Sequence, residues 1–335
     1  MSADEASPLL SVRDLQVQFD TAAGTVQALG GVSFDVHAGR TLALLGESGS
    51  GKSVTAQAIM ALLPKPAGRI SGGSILYAGR DLASAKTRAV RRLCGTEIAM
   101  IFQDPLSSLN PVFRVGAQLA EPFRRRRGMG RKQAWAQALE LLNRVGIPDA
   151  EHRISDYPHQ FSGGQRQRIM IAMAIALNPR VLIADEPTTA LDVTVQKQIM
   201  DLLADLQAEH DMGMLLITHD LGVVADVADR AAIMYAGRIV EQGRIRDVYD
   251  HPAHPYTRGL LDSIPSIESS QERLTPIPGA PPNLLAMPSG CAFAPRCAFA
   301  QARCLEGIPA LRTPRGWPDD HTAACFRTEE VLAHD

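Results

Sequence analysis

The segment Gly46-Glu47-Ser48-Gly49-Ser50-Gly51-Lys52-Ser53 constrains this chain more than any other stretch. It matches G-x-x-x-x-G-K-[ST], a spacing whose glycines let backbone N–H groups turn inward around a phosphate. Just before it, Thr41 to Leu45 (TLALL) is a short apolar run suited to a strand buried on both faces. Just after it, Val54 to Leu63 has helical spacing and is closed by Pro64. Strand, glycine-rich turn and helix in that order aim the positive end of the helix at an anion. Lys52 would then reach the β- and γ-phosphates of a nucleotide, and the Ser53 hydroxyl would ligate Mg²⁺. Gly46, Ser48, Gly49, Ser50, Gly51, Lys52 and Ser53 are the candidate nucleotide-binding residues.

The rest of the pattern predicts an α/β fold. Ser11 to Phe19 alternates apolar and polar residues, as a half-buried strand does. Phe34 and Val36 continue β-like patterning, and 38–40 reads as a turn. Val181 to Ala184 and Met214 to Ile217 look like buried strands separated by a helix over Val195 to Glu209. Alternation of this kind predicts a mainly parallel sheet. Between them, Ala134 to Val145 has helical spacing with Gly146 just past its end. At the end of the strand over 181–184 stand Asp185 and Glu186, where ligands sit in open α/β sheets. Asp185 would hold Mg²⁺ through its water shell, and Glu186 is placed to polarise an attacking water.

Composition removes several function classes. The chain has 335 residues, a formal net charge of -2, 45% hydrophobic and 21% charged residues. That is ordinary globular usage, and it argues against a protein held to DNA by bulk positive charge. The run Arg124–Arg127 has no aromatic platform beside it and reads as a solvated loop between helices. The longest apolar run, Ile169 to Leu177, is about half the ~18 residues of a spanning helix. The N-terminus is acidic without an apolar core, so no secretory signal is expected, and residues 1–8 read as a loose leader. The expected location is therefore the cytosol. No internal repeat or low-complexity tract stands out.

After about residue 250 the composition shifts to a Pro- and Gly-rich stretch, expected to wrap as an extension and not to continue the sheet. Four of the five cysteines, Cys291, Cys297, Cys304 and Cys325, follow it. In a reducing compartment such a group is expected to bind metal, and four thiolates suit Zn²⁺ or iron–sulfur. The tight cysteine pairs of structural zinc are absent. Cys94 stands apart and reads as a small buried hydrophobe.

Phe161-Ser162-Gly163-Gly164-Gln165, opening a helix over Arg166 to Leu177, takes the reading further. With the phosphate loop and the carboxylate pair, it resembles the ATP-binding subunit of an ABC transporter, whose signature is LSGGQ; Phe161 replaces the leucine. The resemblance covers residues ~10–250 and implies an ABC-type nucleotide-binding fold with a helical subdomain inserted at about 104–166 and a C-terminal extension, 251–335. It implies that Ser162, Gly163, Gly164 and Gln165 close over the γ-phosphate held by a second ATP-binding subunit, identical or homologous. By the same resemblance Phe19 stacks on adenine, and Gln103 in Ile101-Phe102-Gln103-Asp104-Pro105 reaches Mg²⁺ and the water. Asp192 in Ala190-Leu191-Asp192 crosses the dimer, and His219 contacts the γ-phosphate. The implied catalytic group is Glu186, His219, Lys52 and Gln103, and the implied Mg²⁺ ligands are Ser53, Gln103 and Asp185.

The C-terminal residues narrow the resemblance. His254-Pro255-Tyr256-Thr257, Tyr157-Pro158-His159-Gln160 and Ser108-Leu109-Asn110-Pro111 are similar to segments of peptide-importer ATPases, as are Gly290-Cys291 and Pro295-Arg296-Cys297. In that group the four cysteines are associated with a [4Fe–4S] cluster, with Zn²⁺ as the alternative. The implied function is ATP hydrolysis that powers import of short peptides. The implied partners are two transmembrane permease subunits and an extracytoplasmic peptide-binding protein, with no nucleic acid, and the implied place is the cytoplasmic face of the inner membrane. Alternatives are the same role for nickel or another small solute, a soluble ABC-type ATPase, or a regulator built around the cysteines.

Overall fold

The computed structural model describes residues 7–189, 191–263 and 276–333. Ala190, Thr275 and most of the 1–8 leader lie outside the described residues. In chain order the strands are β1 (Leu10–Thr21), β2 (Gly24–Val36), β3 (Thr41–Leu45), β4 (Gly68–Tyr77), β5 (Arg80–Asp81), β6 (Ile98–Ile101), β7 (Val181–Asp185), β8 (Gly213–Thr218), β9 (Arg230–Tyr235), β10 (Arg238–Arg244) and β11 (Thr322–Ala323). The chain divides into two compact units, which interleave along the sequence.

One unit takes residues 10–36, 41–85 and everything described from 217 onward. It carries an antiparallel sheet in the order β2-β1-β4-β5 and the strands β11-β10-β9-β3. β3 runs parallel to β9, with Leu42 opposite Arg230 and Leu45 opposite Ile233. All five residues of β3 are buried, as a strand covered on both faces requires. β10 runs antiparallel to β9. Strands here are thus mixed in direction: β3 and β9 pair in parallel, as the alternating pattern predicts, while hairpin-connected strands, such as β1 with β2, need only short turns and pair antiparallel.

The helix after the phosphate loop spans Lys52–Ile59, two residues earlier at its start and shorter at its end than the spacing suggests. It stops because Ala61 takes a left-handed backbone (φ 53°) before Pro64 is reached. The chain after residue 250 departs from expectation in a second way. It returns to the sheet as β11, with Ala323 opposite Glu241 and Thr322 opposite Gln242.

The other unit takes residues 7–9, 37–40 and 86–216. β6 and β7 pair in parallel, Ile98 opposite Val181 and Ile101 opposite Ala184, with β8 next to β7. Helices fill 105–160, the longest being Val115–Arg126 and Arg131–Arg144. The latter ends at Gly146, whose φ of 72° fits a helix stop. The arginine run is not a loop. Arg124, Arg125 and Arg126 form the last turn of the helix Val115–Arg126, where cations offset the negative helix end. Arg126 donates to the Arg91 carbonyl (3.1 Å) and Arg127 to the Leu177 carbonyl (3.1 Å).

A buried carboxylate ties the C-terminal chain into the first unit. Glu241 of β10 is fully buried and accepts from the amides of Ala253 (2.7 Å) and His254 (2.9 Å) and from His321 Nε2 (2.8 Å). His254 in turn caps the helix Pro255–Leu261, its Nδ1 accepting from the Tyr256 amide at 3.0 Å. Complete burial pushes the His254 pKa down to about 3, which keeps Nδ1 an acceptor. Replacing Glu241 by Ala strands two amides and an imidazole. At roughly 1–3 kcal/mol for each unsatisfied buried group, Glu241→Ala is expected to lower unfolding free energy by at least ~3 kcal/mol. Urea titration followed by circular dichroism reads this directly, and a loss under ~1 kcal/mol would contradict the pin.

Candidate active site

The phosphate loop turns between β3 and the helix Lys52–Ile59. Two of its glycines are required by space. A Cβ on Gly46 would meet the Met234 carbonyl oxygen at 2.2 Å, and one on Gly51 would meet Leu29 Cδ2 at 2.7 Å. Both also have positive φ, 148° and 106°. No side chain caps the helix start. Lys52 is buried, its Nζ donating to the carbonyls of Gly46 (2.7 Å) and Glu47 (3.0 Å). Its charge therefore rests on loop carbonyls at the mouth of the cradle. Ser50 Oγ is buried without a hydrogen-bond partner. An orphaned buried hydroxyl costs about 1–3 kcal/mol, and an anion in the loop would satisfy it. The residues present thus fit a phosphate group.

The carboxylates stand in the other unit. Asp185 is buried at the end of β7. Glu186 follows with a φ of 47°, an uncommon conformation for a side chain of this size. Its Oε2 accepts from Gln103 Nε2 at 2.8 Å and from Thr189 Oγ1 at 2.9 Å. Two donors on one oxygen orient the carboxylate. The fold thereby joins Gln103 and Glu186, which the sequence offered separately. Thr189 was missed; its only sequence signal is its place three residues after Glu186.

The glycine-rich pentapeptide opens the helix Gly163–Ile175. Ser162 Oγ accepts from the Gln165 amide (3.3 Å), and Gln165 Oε1 accepts from the Ser162 amide (3.1 Å). This reciprocal cap defines the helix start three residues ahead of the expected one. A Cβ on Gly164 would meet Val195 Cγ1 at 2.7 Å, so the second glycine allows the helix Val193–His210 to approach. Phe161 is buried, and the Arg153 guanidinium lies 4.2 Å from its ring centroid while donating to Gln165 Oε1 (3.1 Å). An aromatic ring thus suits this position, because it carries the cation that braces the turn. Nothing in the local pattern marks Arg153.

Asp192 caps the helix Val193–His210 through the Val195 amide (2.9 Å). Phe19 is half-buried in β1, its ring closing on Gly68. His219 is exposed just past β8.

The C-terminal cysteines do not form a recognisable metal centre among the described residues. None of the five cysteines is in a disulfide. Cys291, Cys297, Cys304 and Cys325 lie close enough for their charges to interact. Yet among the described residues no three His, Cys, Asp or Glu side chains form a group that could hold a metal ion. Burial pushes the thiols of Cys291, Cys297 and Cys325 up, the last to about 11. Cys94 is half-buried, not fully so.

Comparison with known proteins bears on the same residues. The ABC transporter family profile matches residues 29–189, and the profile of the oligopeptide/dipeptide transporter C-terminal region matches 240–304. The chain is similar to the dipeptide transport ATP-binding protein DppD of Bacillus subtilis, 49% identical over 97% of this chain and 96% of that protein. It is 53% identical to the oligopeptide transport ATP-binding protein OppD of the same organism, over 90% of this chain and 85% of that one. Among solved structures, a dimeric ATP-binding cassette, MJ0796, bound to ADP and Pi superposes with a TM-score of 0.63 at 26% identity, covering 71% of this chain and 99% of that one.

Two outcomes follow from the loop and the thiols. Ser50→Ala is expected to leave unfolding free energy unchanged or raised, since it removes an unpaired buried hydroxyl, while weakening nucleotide binding; calorimetry of both quantities tests the pair. At pH 8 Cys325 is expected to react with a chromogenic disulfide ~10²-fold more slowly than free cysteine, because so little of it is thiolate. Rapid native labelling at Cys325, located by mass spectrometry, would refute the burial account.

Proposed function

The chain belongs to the ABC transporter family of ATP-binding proteins, in its oligopeptide/dipeptide branch, and on that footing we propose that it hydrolyses ATP to power import of short peptides. The observation that carries this is the preset loop. Lys52 waits on two carbonyls beside an unpaired Ser50 hydroxyl, in a chain about half identical to peptide-transport ATPases along nearly all its length.

Roles follow from the side chains. Lys52 exchanges the Gly46 and Glu47 carbonyls for the β- and γ-phosphates, with Gly46, Ser48, Gly49, Gly51 and Ser50 lining the cradle. Glu186 takes the proton of the attacking water at its carboxylate, steadied by Gln103 and Thr189. His219 contacts the γ-phosphate and Phe19 the adenine. Ser53, Gln103 and Asp185 are hard oxygen donors of the kind Mg²⁺ takes, and the bound ion neutralises phosphate charge. Ser162, Gly163, Gly164 and Gln165, with Asp192, complete the nucleotide site of a second ATP-binding subunit. That is a helix N-terminus directed at an anion supplied by another chain.

The work is delivered through two transmembrane permease subunits, with an extracytoplasmic binding protein bringing the peptide. This chain has no helix, among the described residues, long and apolar enough to cross a membrane. On its family membership, the permeases do the spanning and the chain sits at the cytoplasmic face. In the assembled transporter, Glu186→Gln is expected to bind ATP normally while turnover falls at least ~10²-fold, the lower range for loss of a catalytic base. ATP-driven uptake of labelled peptides into proteoliposomes tests the cargo. Uptake of nickel and not of peptides would assign a different solute.

A further inference from the structure

We propose that Arg296, in the C-terminal extension, is a positioning residue for the phosphate loop, acting through Glu47; this rests on the nucleotide-binding reading of that loop. Glu47 is the first variable residue of the loop, and its carboxylate points away from Lys52's carbonyl partners into the extension. Arg296 meets it with both arms: Nη1 to Oε2 at 2.7 Å and Nη2 to Oε1 at 2.9 Å. The guanidinium side is almost wholly buried, at 4% exposure, and the carboxylate side is at 28%. Paired, planar contacts of this kind are the strongest ion-pair geometry and hold both partners in one orientation.

The other donors of Arg296 are also engaged. Nε donates to the Pro278 carbonyl (3.0 Å), Nη1 to Tyr235 Oη (3.3 Å) and Nη2 to the Ile277 carbonyl (3.5 Å). Each of the five guanidinium N–H groups therefore has an acceptor. The rings of Tyr235 and Phe293 lie 5.8 Å and 5.9 Å from its central carbon. A side chain so completely engaged does not swing; it is a fixed post. The same loop residue is gripped a second time, its amide donating to Tyr256 Oη at 2.8 Å. Tyr256 is itself fully buried, and burial pushes its phenol up, so it stays a neutral hydroxyl.

Both grips bear on the nucleotide. The Glu47 carbonyl is a resting acceptor of Lys52, so the residue Arg296 fixes is a residue that parks the catalytic lysine. Glu47 also carries a negative charge within a loop built to hold phosphates. Arg296 keeps that charge turned away and neutralised. Without it, the carboxylate opposes a polyanionic ligand and the loop loses its anchor. The extension is in this sense part of the nucleotide site, though it touches no phosphate.

The test uses the full-length chain, with a fluorescent ATP analogue for affinity and steady-state hydrolysis in the assembled transporter. Arg296→Ala is expected to weaken nucleotide binding roughly tenfold or more, about the loss of one charge-assisted pair. KM for ATP should rise by more than kcat falls. Arg296→Lys, which cannot bridge both oxygens, should recover part of the affinity. Glu47→Gln keeps the shape and removes the charge; adding it to Arg296→Ala should cost nothing further. Strictly additive losses, or wild-type affinity in a folded Arg296→Ala, would overturn the proposal. If Arg296→Ala does not fold, Glu47→Gln decides alone, and unchanged affinity there overturns it. A wild-type chain that binds no nucleotide would instead bring down the functional reading beneath it.

Discussion

The phosphate loop depends on space being left empty. Gly46 and Gly51 pass so close to Met234 and Leu29 that a single added carbon would collide with them. The neighbours in those collisions belong to β2, which precedes the loop in the chain, and to β9, which is far from it in sequence and pairs with β3 beside it. The loop's backbone can circle an anion only because these strands bring their atoms up to it and no side chain stands between. Everything attributed to Lys52 and Ser50 follows from that close approach, since it is the backbone's path that puts the lysine amine over the Gly46 and Glu47 carbonyls.

That path is secured from the far end of the chain. Glu241 is deeply buried and hydrogen-bonded to three donors, which commits the segment Ala253–His254 to one place. His254 then starts the helix Pro255–Leu261 and aims Tyr256 at the loop, and Arg296 grips the adjacent carboxylate. The segment read as His-Pro-Tyr-Thr is therefore a cap, a helix start and a reaching phenol in consecutive positions. Its spacing is explained by what each residue holds.

In the other unit the same economy appears in the turn around Glu186. A left-handed backbone at a glutamate is costly unless neighbours hold it. Gln103 and Thr189 do so by donating to one carboxylate oxygen. The Ser162–Gln165 turn is likewise closed on itself by reciprocal hydrogen bonds and braced by Arg153.

Local chemistry was legible in the sequence. The strand Thr41–Leu45 and the strands over 181–185 and 213–218 stand where apolar runs predicted them, and the glycine loop between strand and helix needed no structure to be recognised. Patterns of this kind are written in consecutive residues, because an anion cradle and a doubly covered strand are properties of short segments. Pairings between distant positions were not legible. Glu47 and Arg296 are 249 positions apart, and Gln103 and Glu186 are 83 apart. Four cysteines near one another in sequence also lie near one another in the fold, close enough for their charges to interact. The antiparallel strands and the return of the chain as β11 were equally hidden. The sequence by itself determined where the phosphate-loop pattern, the buried strand before it and the helix after it stand, since these are local features. Only the tertiary structure decided which distant side chains hold them in place, because ion pairs and shared carboxylates depend on a distance that folding alone creates.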